Sequence, residues 1–144
     1  MSIATLILGQ SGSGKSTSLR NLNPDDVLLI QSINKPLPFR SAKWKPCTKE
    51  NPSGSLFCTD KAQSIVHMIN ATKKPIIIID DFQYIMANEF MRRSGERGFD
   101  KFTEIARNAW DIFNAAVAAD ANKRIYILSH IEESESGKSK IKTI

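Results

Sequence analysis

The sequence predicts an α/β fold with a mainly parallel central sheet flanked by helices. Two observations favour this class. Apolar runs at residues 3–8 and 76–79 are typical of strands that helices cover on both faces. Segments with helical periodicity lie between such runs, and strands that alternate with helices pair in parallel. The length of 144 residues fits one domain, so we treat residues 1–144 as a single domain.

The first half of the chain predicts three strands, a short helix and a long loop. The strand at residues 3–8 is expected to be buried on both faces, and the helix after it must end before Pro24. Residues 27–31 and 56–58 predict a second strand and a brief third one. Residues 34–55 contain four prolines and no periodicity, which predicts an irregular loop of a length that is usually functional or disordered. We refer to it as the 34–55 loop.

The middle of the chain predicts a helix, a strand and a partly helical segment. Thr59 and Asp60 offer an N-cap for a helix that extends to about residue 71. Four consecutive isoleucines at residues 76–79 give the clearest strand signal, because β-branched residues favour strands. Residues 82–91 are expected to be partly helical.

The last part of the chain predicts a long helix, a strand and a hairpin. Residues 99–119 place apolar side chains at three- and four-residue steps, and we expect these side chains to face the core. They are Phe102, Ile105, Ala106, Ala109, Trp110, Phe113, Ala116 and Val117. Residues 124–129 predict a strand, and residues 133–144 predict a polar C-terminal β-hairpin with a turn near Gly137. The alternation of its last arm continues to Ile144, which is compatible with a truncated or minimal version of a longer domain.

Residues 9–16, which we call the glycine-rich loop, fit the phosphate-binding pattern G-x-x-x-x-G-K-[ST] directly after a strand. The glycines allow positive φ and close approach of the backbone, and the loop N–H groups can bind an anion at the start of a helix. In this pattern the lysine reaches the β- and γ-phosphates and the hydroxyl binds Mg²⁺. We therefore expect a nucleoside triphosphate here. The residues expected to contact it are Gly9, Gln10, Ser11, Gly12, Ser13, Gly14, Lys15, Ser16 and Thr17.

Two adjacent carboxylates follow the isoleucine strand. Because the carboxyl ends of parallel strands meet at one edge of a sheet, Asp80 and Asp81 should lie beside the glycine-rich loop. We assign Asp80, together with Ser16, to a magnesium site, and Asp81 to the polarisation of an attacking water. The alternative is that the two aspartates only cap a helix.

The glycine-rich loop, the apolar strand that ends in Asp80-Asp81, and Ser129-His130 at the end of a later strand resemble the RecA-like and AAA-type ATPases. Residues 80–91 and 137–144 resemble small phage-encoded ATP-binding proteins of that group. The resemblance covers nearly the whole chain and implies a P-loop NTPase with a RecA-like core, ATP and Mg²⁺ as cofactors, and a role in phage DNA recombination or replication. RecA-like members often carry a catalytic Glu just beyond the second strand. This chain has Gln31-Ser32-Ile33-Asn34 there, so we expect hydrolysis that is slow or depends on Asp81 alone.

The resemblance also implies roles for other polar residues. Such folds place a γ-phosphate sensor at a strand end, which makes His130 a candidate catalytic residue beside Lys15 and Asp81; a structurally satisfied histidine is the alternative. In oligomeric relatives basic residues of a neighbour complete the site, so the resemblance implies a homo-oligomer. A solvated charged edge that blocks aggregation is the alternative for these basic residues. The candidates are Arg92, Arg93, Arg97, Lys138 and Lys140.

The 34–55 loop interleaves basic and aromatic residues, a composition that suits single-stranded DNA through phosphate charge and base stacking. The same side chains could instead pack the loop onto the core or stack on adenine. They are Lys35, Phe39, Arg40, Lys43, Trp44, Lys45 and Lys49.

The overall composition sets broader limits. The net charge of +5 and pI near 9.3 mildly favour an acidic partner such as nucleic acid. Cys47 and Cys58 form no metal-binding spacing, and their pairing stays open. The sequence contains neither a secretory signal pattern nor a run long enough to span a bilayer, so we expect a cytoplasmic protein without a membrane partner.

Taken together, these features predict a Mg²⁺-dependent ATPase that acts with single-stranded DNA. The resemblance implies adenine rather than guanine, and the chain agrees in having Ser129-His130-Ile131-Glu132 where a guanine-binding N-K-x-D motif would lie. A nucleotide-gated binding module with little or no hydrolysis is one alternative. A small nucleoside or polynucleotide kinase is another.

Overall fold

The computed structural model describes residues 1–143, and a six-stranded, mainly parallel sheet forms its centre. The parallel strands are β1 (Ile3–Gly9), β2 (Val27–Gln31), β3 (Leu56–Cys58), β4 (Ile76–Asp80) and β5 (Arg124–Glu133). Their order across the sheet is β1-β5-β4-β2-β3. Because β5 lies between β1 and β4, the polar residues near its carboxyl end lie between the glycine-rich loop and the aspartate pair. The α/β class with a mainly parallel sheet is confirmed.

Three α-helices pack on one face of the sheet. They are α1 (Ala62–Ala71), α2 (Gln83–Arg92) and α3 (Asp100–Ala118). In β4, Ile77 and Ile79 point toward the helices, whereas Ile78 packs on the opposite face beside the buried Trp44 of the 34–55 loop. A short 3₁₀ helix, Thr17–Asn21, also covers that second face through Leu19. The strand with two buried faces that the isoleucine run predicted is therefore present.

The burial predicted for β1 is wrong. β1 forms an edge of the sheet and pairs only with β5, so helices and neighbouring strands do not enclose it. Ile3 is 61% exposed, and Leu6, Ile7 and Leu8 are also exposed. An apolar run indicates that a strand prefers burial, but the strand order decides how much cover it receives.

The helix after the glycine-rich loop is shorter than its sequence allows. It forms a single 3₁₀ segment, Thr17–Asn21, and a second 3₁₀ turn, Pro24–Asp26, follows it. The dipole of so short a helix adds little to anion binding, so the loop amides themselves would have to provide most of the attraction.

The apolar face predicted for α3 is only partly buried. Ile105, Ala109 and Ala116 lie in the core, as expected, and Ile112 joins them. Trp110 is 57% exposed, and Phe102, Ala106 and Val117 are also exposed, so the prediction of a core position is wrong for these four residues. The apolar residues of this helix occupy a stripe wider than the contact with the sheet, and its outer margin is left in solvent.

The remaining element predictions differ in detail. Helix α1 begins at Ala62 with Lys61 as its N-cap, and the side chains of Thr59 and Asp60 do not cap it. The 34–55 loop contains no regular helix or strand, as predicted, and forms one isolated bridge between Pro46 and Leu56. Its cysteine, like the one in β3, is a free thiol.

The C-terminal hairpin is present. Strand β5 extends beyond the predicted end to Glu133 and pairs with antiparallel β6 (Ser139–Ile141) across a turn that contains Gly137 at φ 77°. The expectation for Ile144 lies outside the described residues. Among residues 1–143, none of the helices combines the length and the apolar character needed to cross a membrane.

Candidate functional site

A cleft of about 350 Å³ lies at the carboxyl ends of the parallel strands, where ligands of α/β sheets bind. The glycine-rich loop forms one wall and the start of the 34–55 loop forms the opposite wall. Of the residues predicted to bind nucleotide or take part in catalysis, eight line the cleft. They are Ser11, Gly12, Gly14, Lys15, Ser16, Thr17, Asp81 and His130. Gly9, Gln10, Ser13 and Asp80 are not among the residues that line it.

The backbone of the glycine-rich loop needs glycine at two positions for conformational reasons. Gly12 and Gly14 have φ values of 77° and 91°, in the left-handed region that other residues rarely adopt. Gly9, which was predicted to share this role, has no positive φ. A Cβ atom there would lie 2.6 Å from Ser13 Oγ, so the Ser13 side chain would have to move to admit one.

The ammonium of Lys15 folds back over the loop. Its Nζ donates to the carbonyl oxygens of Gly9 at 2.8 Å and Gln10 at 2.9 Å. Burial lowers the pKa of Lys15, and the nearby carboxylates of Asp80 and Asp81 oppose that shift only in part. An anionic ligand in the cleft would offer the same ammonium a charged acceptor.

A hydrogen bond joins the glycine-rich loop to the end of β4. Ser16 Oγ donates to Asp80 Oδ2 at 2.8 Å, across 64 residues of sequence. Asp80 is 1% exposed, and its other oxygen accepts from the Asp81 backbone N–H at 3.0 Å. Burial and then the charge of Asp81 raise the pKa of Asp80 above its ordinary value of 3.8. A cation beside this carboxylate would relieve that penalty.

The donor set at this position fits Mg²⁺. A hydroxyl and a carboxylate are hard oxygen ligands, and Mg²⁺ usually combines one or two such protein ligands with waters and substrate phosphates. Within residues 1–143 no group of three or more His, Cys, Asp or Glu side chains is gathered in a metal-binding arrangement. Such a group is not required of a site that shares its ion with a phosphate.

Asp81 occupies the centre of the polar network. Its backbone has φ 54°, a left-handed conformation that aspartate tolerates better than most residues. Its Oδ2 lies 2.5 Å from Lys35 Nζ, and its Oδ1 lies 3.5 Å from His130 Nε2. Burial disfavours the charged form of Lys35, but the hydrogen bond to Asp81 and the two carboxylate charges outweigh burial and raise its pKa.

Gln83, at the start of α2, fixes the backbone of β5 beside the site. Its Oε1 accepts from Ser129 Oγ at 3.2 Å and from the His130 backbone N–H at 3.1 Å. Its Nε2 is buried without a hydrogen-bond partner among the described residues. Burial and the positive charge of Lys15 lower the pKa of His130 below its ordinary value of 6.5, so the imidazole is neutral at pH 7.

Gln31 and Ser32, at the end of β2, bind backbone carbonyls and are not among the residues that line the cleft. Gln31 Nε2 donates to the carbonyl of Lys35 at 3.2 Å, and Ser32 Oγ donates to the carbonyl of Asp81 at 2.7 Å. The position where RecA-like proteins often have glutamate therefore provides two backbone clamps and no carboxylate.

The glycine-rich loop also contacts the hairpin. Gln10 Nε2 donates to Glu133 Oε1 at 2.8 Å. This side-chain contact joins the loop to the last residue of β5, at the base of the C-terminal hairpin.

Some basic residues predicted to serve a neighbouring subunit are occupied within the chain. Arg93 is paired with Glu89, Glu96 and Glu104, and Arg92 Nη1 lies 2.8 Å from Asp60 Oδ2. Arg97, Lys138 and Lys140 form no ion pair among the described residues.

The aromatic residues of the 34–55 loop follow the alternative of core packing. Trp44 is 6% exposed and meets the Phe39 ring edge-on with centroids 5.8 Å apart. Trp44 therefore cannot stack on a base without unfolding this part of the loop. The basic residues of the loop apart from Lys35 are exposed: Arg40, Lys43, Lys45 and Lys49.

Sequence reasoning missed three contributors to the site. Lys35 was considered for contact with DNA or adenine or for packing of the loop, although it lies four residues past a strand whose carboxyl end forms the site edge. Gln83, and Tyr84 which lines the cleft, lie two and three residues after the aspartate pair, and that proximity was the available signal for both.

Comparison of the sequence with protein-family models and with curated proteins gives no match. The interpretation of the site therefore depends on its own geometry.

Proposed function

We propose that this chain is a P-loop NTPase with a RecA-like core that binds ATP with Mg²⁺ and hydrolyses it. The observation that carries the proposal is the 2.8 Å hydrogen bond between Ser16 and Asp80. This bond joins the hydroxyl of a phosphate-binding loop pattern to a buried carboxylate, although Ser16 follows β1 and Asp80 ends β4. Lys15 and the loop amides lie in the same cleft and are suited to bind an anionic ligand.

The roles of the residues follow from their positions. Lys15 and the N–H groups of the glycine-rich loop bind the β- and γ-phosphates. Ser16 and Asp80 hold the metal ion, which neutralises phosphate charge when it is bound. Ile33, Pro36 and Pro38 give the opposite wall an apolar character that suits the rest of the nucleotide.

Asp81 is the base of the proposed hydrolysis. It accepts a proton from a water whose oxygen forms a bond to the terminal phosphorus, while the bond from that phosphorus to the bridging oxygen breaks and leaves ADP. His130, which is neutral and adjacent to Asp81, orients that carboxylate and responds to the state of the terminal phosphate.

Single-stranded DNA is the proposed partner of the exposed basic residues of the 34–55 loop. Their four positive charges can neutralise backbone phosphates, which makes the affinity strongly salt-dependent. The buried position of Trp44 removes one of the two aromatic side chains proposed to stack on bases. We therefore expect DNA binding through charge, with little base preference.

A nucleotide-gated module with little turnover is the second candidate, because the residues beyond β2 supply no carboxylate and Asp81 is the one acid that lines the cleft. The kinase alternative has less support. A kinase needs a lid rich in arginine that binds the phosphoryl acceptor, and Arg92 and Arg93, which could belong to such a lid, are held by acidic side chains of the same chain.

The test is release of phosphate from ATP with Mg²⁺, with single-stranded DNA titrated at two salt concentrations and with a phosphoryl acceptor in a separate arm. Turnover that DNA stimulates, and that salt weakens, supports the proposal. ATP binding without turnover in any arm supports the gated module. Turnover that requires the acceptor supports the kinase, and absence of ATP binding rejects all three.

A further inference from the structure

We propose that Lys35 supplies, from within the same chain, a positive charge to the terminal phosphate of the bound nucleotide. This inference rests on the proposed function and deepens it. It replaces the expectation that a neighbouring subunit must provide this charge.

The position of the ammonium carries the argument. Lys35 Nζ lies 2.5 Å from Asp81 Oδ2 and 3.9 Å from Asp80 Oδ2. The first carboxylate is the proposed base and the second is the proposed metal ligand, so the terminal phosphate must lie between them and Lys15. Lys35 lines the same cleft as Gly14 and Lys15. Its side chain therefore needs only a change of rotamer to exchange a carboxylate oxygen for a phosphate oxygen.

The backbone of Lys35 is fixed while its side chain keeps freedom. Gln31 holds its carbonyl, and Pro36 restricts the next φ angle. Leu37 and Phe39 then pack against the core cluster that contains Trp44. By contrast, the Lys35 side chain is 34% exposed, which leaves it room to move. A cation whose backbone is already fixed in the same chain loses less entropy on binding phosphate than a residue that must come from a second subunit.

The charges around the cleft are balanced before nucleotide binds. Lys15 and Lys35 oppose Asp80 and Asp81, and His130 is neutral. A triphosphate that enters the cleft brings a large excess of negative charge that needs a further cation. Arg92 and Arg93, which were candidates to neutralise this charge, are already paired with acidic side chains. Lys35 is the second ammonium within the cleft, on the wall opposite Lys15. Transfer of its hydrogen bond to phosphate also releases Asp81 to accept a proton from water.

The experiment compares a triphosphate with a diphosphate. Affinities for a non-hydrolysable ATP analogue and for ADP are measured by calorimetry with Mg²⁺ and without DNA, for wild type, Lys35→Met, Lys35→Arg and Lys61→Met. Lys61 is exposed and is not among the residues that line the cleft, so its variant controls for loss of one surface charge. Thermal denaturation establishes that each variant is folded.

Loss of one charge-assisted hydrogen bond from the terminal phosphate should weaken binding of the ATP analogue by about tenfold or more in Lys35→Met. The affinity for ADP should stay near that of wild type, Lys35→Arg should recover part of the loss, and Lys61→Met should change neither affinity. Equal losses for both nucleotides would show that Lys35 only anchors the loop. Unchanged affinities in Lys35→Met would also overturn the inference.

A Lys15→Ala variant separates this inference from the proposed function. If Lys15→Ala loses both nucleotides while Lys35→Met keeps the wild-type ratio of affinities, only the inference fails. If wild type binds neither nucleotide, or Lys15→Ala binds both as wild type does, the proposed function fails together with the inference.

Discussion

The contact between Ser16 and Asp80 makes a specific prediction for Ser16→Ala. The substitution removes the hydroxyl that donates to Asp80 Oδ2 at 2.8 Å and leaves that oxygen in a residue that is 1% exposed. A hydrogen bond to a charged group contributes about 1.5–3 kcal/mol. Lys35, at 3.9 Å from the same oxygen, can recover part of this loss.

We therefore expect Ser16→Ala to lower the free energy of unfolding of the nucleotide-free protein by about 1–2 kcal/mol. For a domain of this size the melting temperature should fall by about 2–4 °C per kcal/mol. Ser16→Thr keeps the hydroxyl and should stay close to wild type. Ser11→Ala is the matched control, because Ser11 is an exposed residue of the same loop whose hydroxyl makes no hydrogen bond within residues 1–143.

The assay is thermal denaturation of the four proteins, each with no addition, with ADP, and with ADP plus Mg²⁺. Wild type, Ser11→Ala and Ser16→Thr should gain further stability when Mg²⁺ joins ADP, whereas Ser16→Ala should lose that increment. If Ser16→Ala melts with wild type and keeps the same response to Mg²⁺, the hydrogen bond is not a link between the loop and a metal ligand, and the reasoning is refuted.

Four further predictions address other parts of the molecule. Lys15→Ala should weaken ATP binding by about 100-fold or more through loss of charge-assisted hydrogen bonds. A wild-type affinity for ATP, measured by calorimetric titration, would contradict the assignment of the glycine-rich loop to phosphate binding. Asp81→Asn should preserve ATP binding but slow phosphate release by at least about 100-fold; an unchanged rate would move the base elsewhere. Phe82→Ala should destabilise the fold by about 3–5 kcal/mol in urea, because Phe82 is 0% exposed and packs against Phe113 with ring centroids 5.0 Å apart. The pKa of His130 is lowered below 6.5 in the folded protein, so the neutral imidazole contributes stability above pH 6.5 that is lost as the pH falls toward the folded-state pKa. His130→Asn should therefore make the free energy of unfolding less dependent on pH in this window. A slope identical to that of wild type would contradict this prediction.

The parts of the site that the sequence predicted depend on local rules. Gly12 and Gly14 adopt positive φ because the loop must turn, and Asp80 and Asp81 end a strand whose four isoleucines identify it. Parallel pairing then brings both segments to the same edge of the sheet. The local sequence pattern and the general rule for parallel strands are therefore enough to predict that the two segments lie together.

The parts that failed depend on which elements are neighbours. β1 is as apolar as a central strand, but its edge position leaves Leu6 and Ile7 exposed. Trp110 was expected in the core and is exposed, whereas Trp44, for which core packing was one alternative, is buried. A tryptophan is buried only where another element covers it, and the sequence does not show which element that is. Lys35 joins the site because it lies close to the carboxyl end of β2 and contacts Asp81, and the composition of the 34–55 loop does not encode that contact.

The central claim is that the glycine-rich loop and Asp80 form one site for a nucleotide and Mg²⁺. Its most direct test is the affinity for a non-hydrolysable ATP analogue, measured with and without Mg²⁺ on wild type and on Asp80→Asn. We predict that Mg²⁺ strengthens binding in wild type and that Asp80→Asn removes this increment while it retains the weaker, metal-free binding. If Mg²⁺ does not change the affinity of wild type, or if it strengthens binding equally in Asp80→Asn, this claim is contradicted.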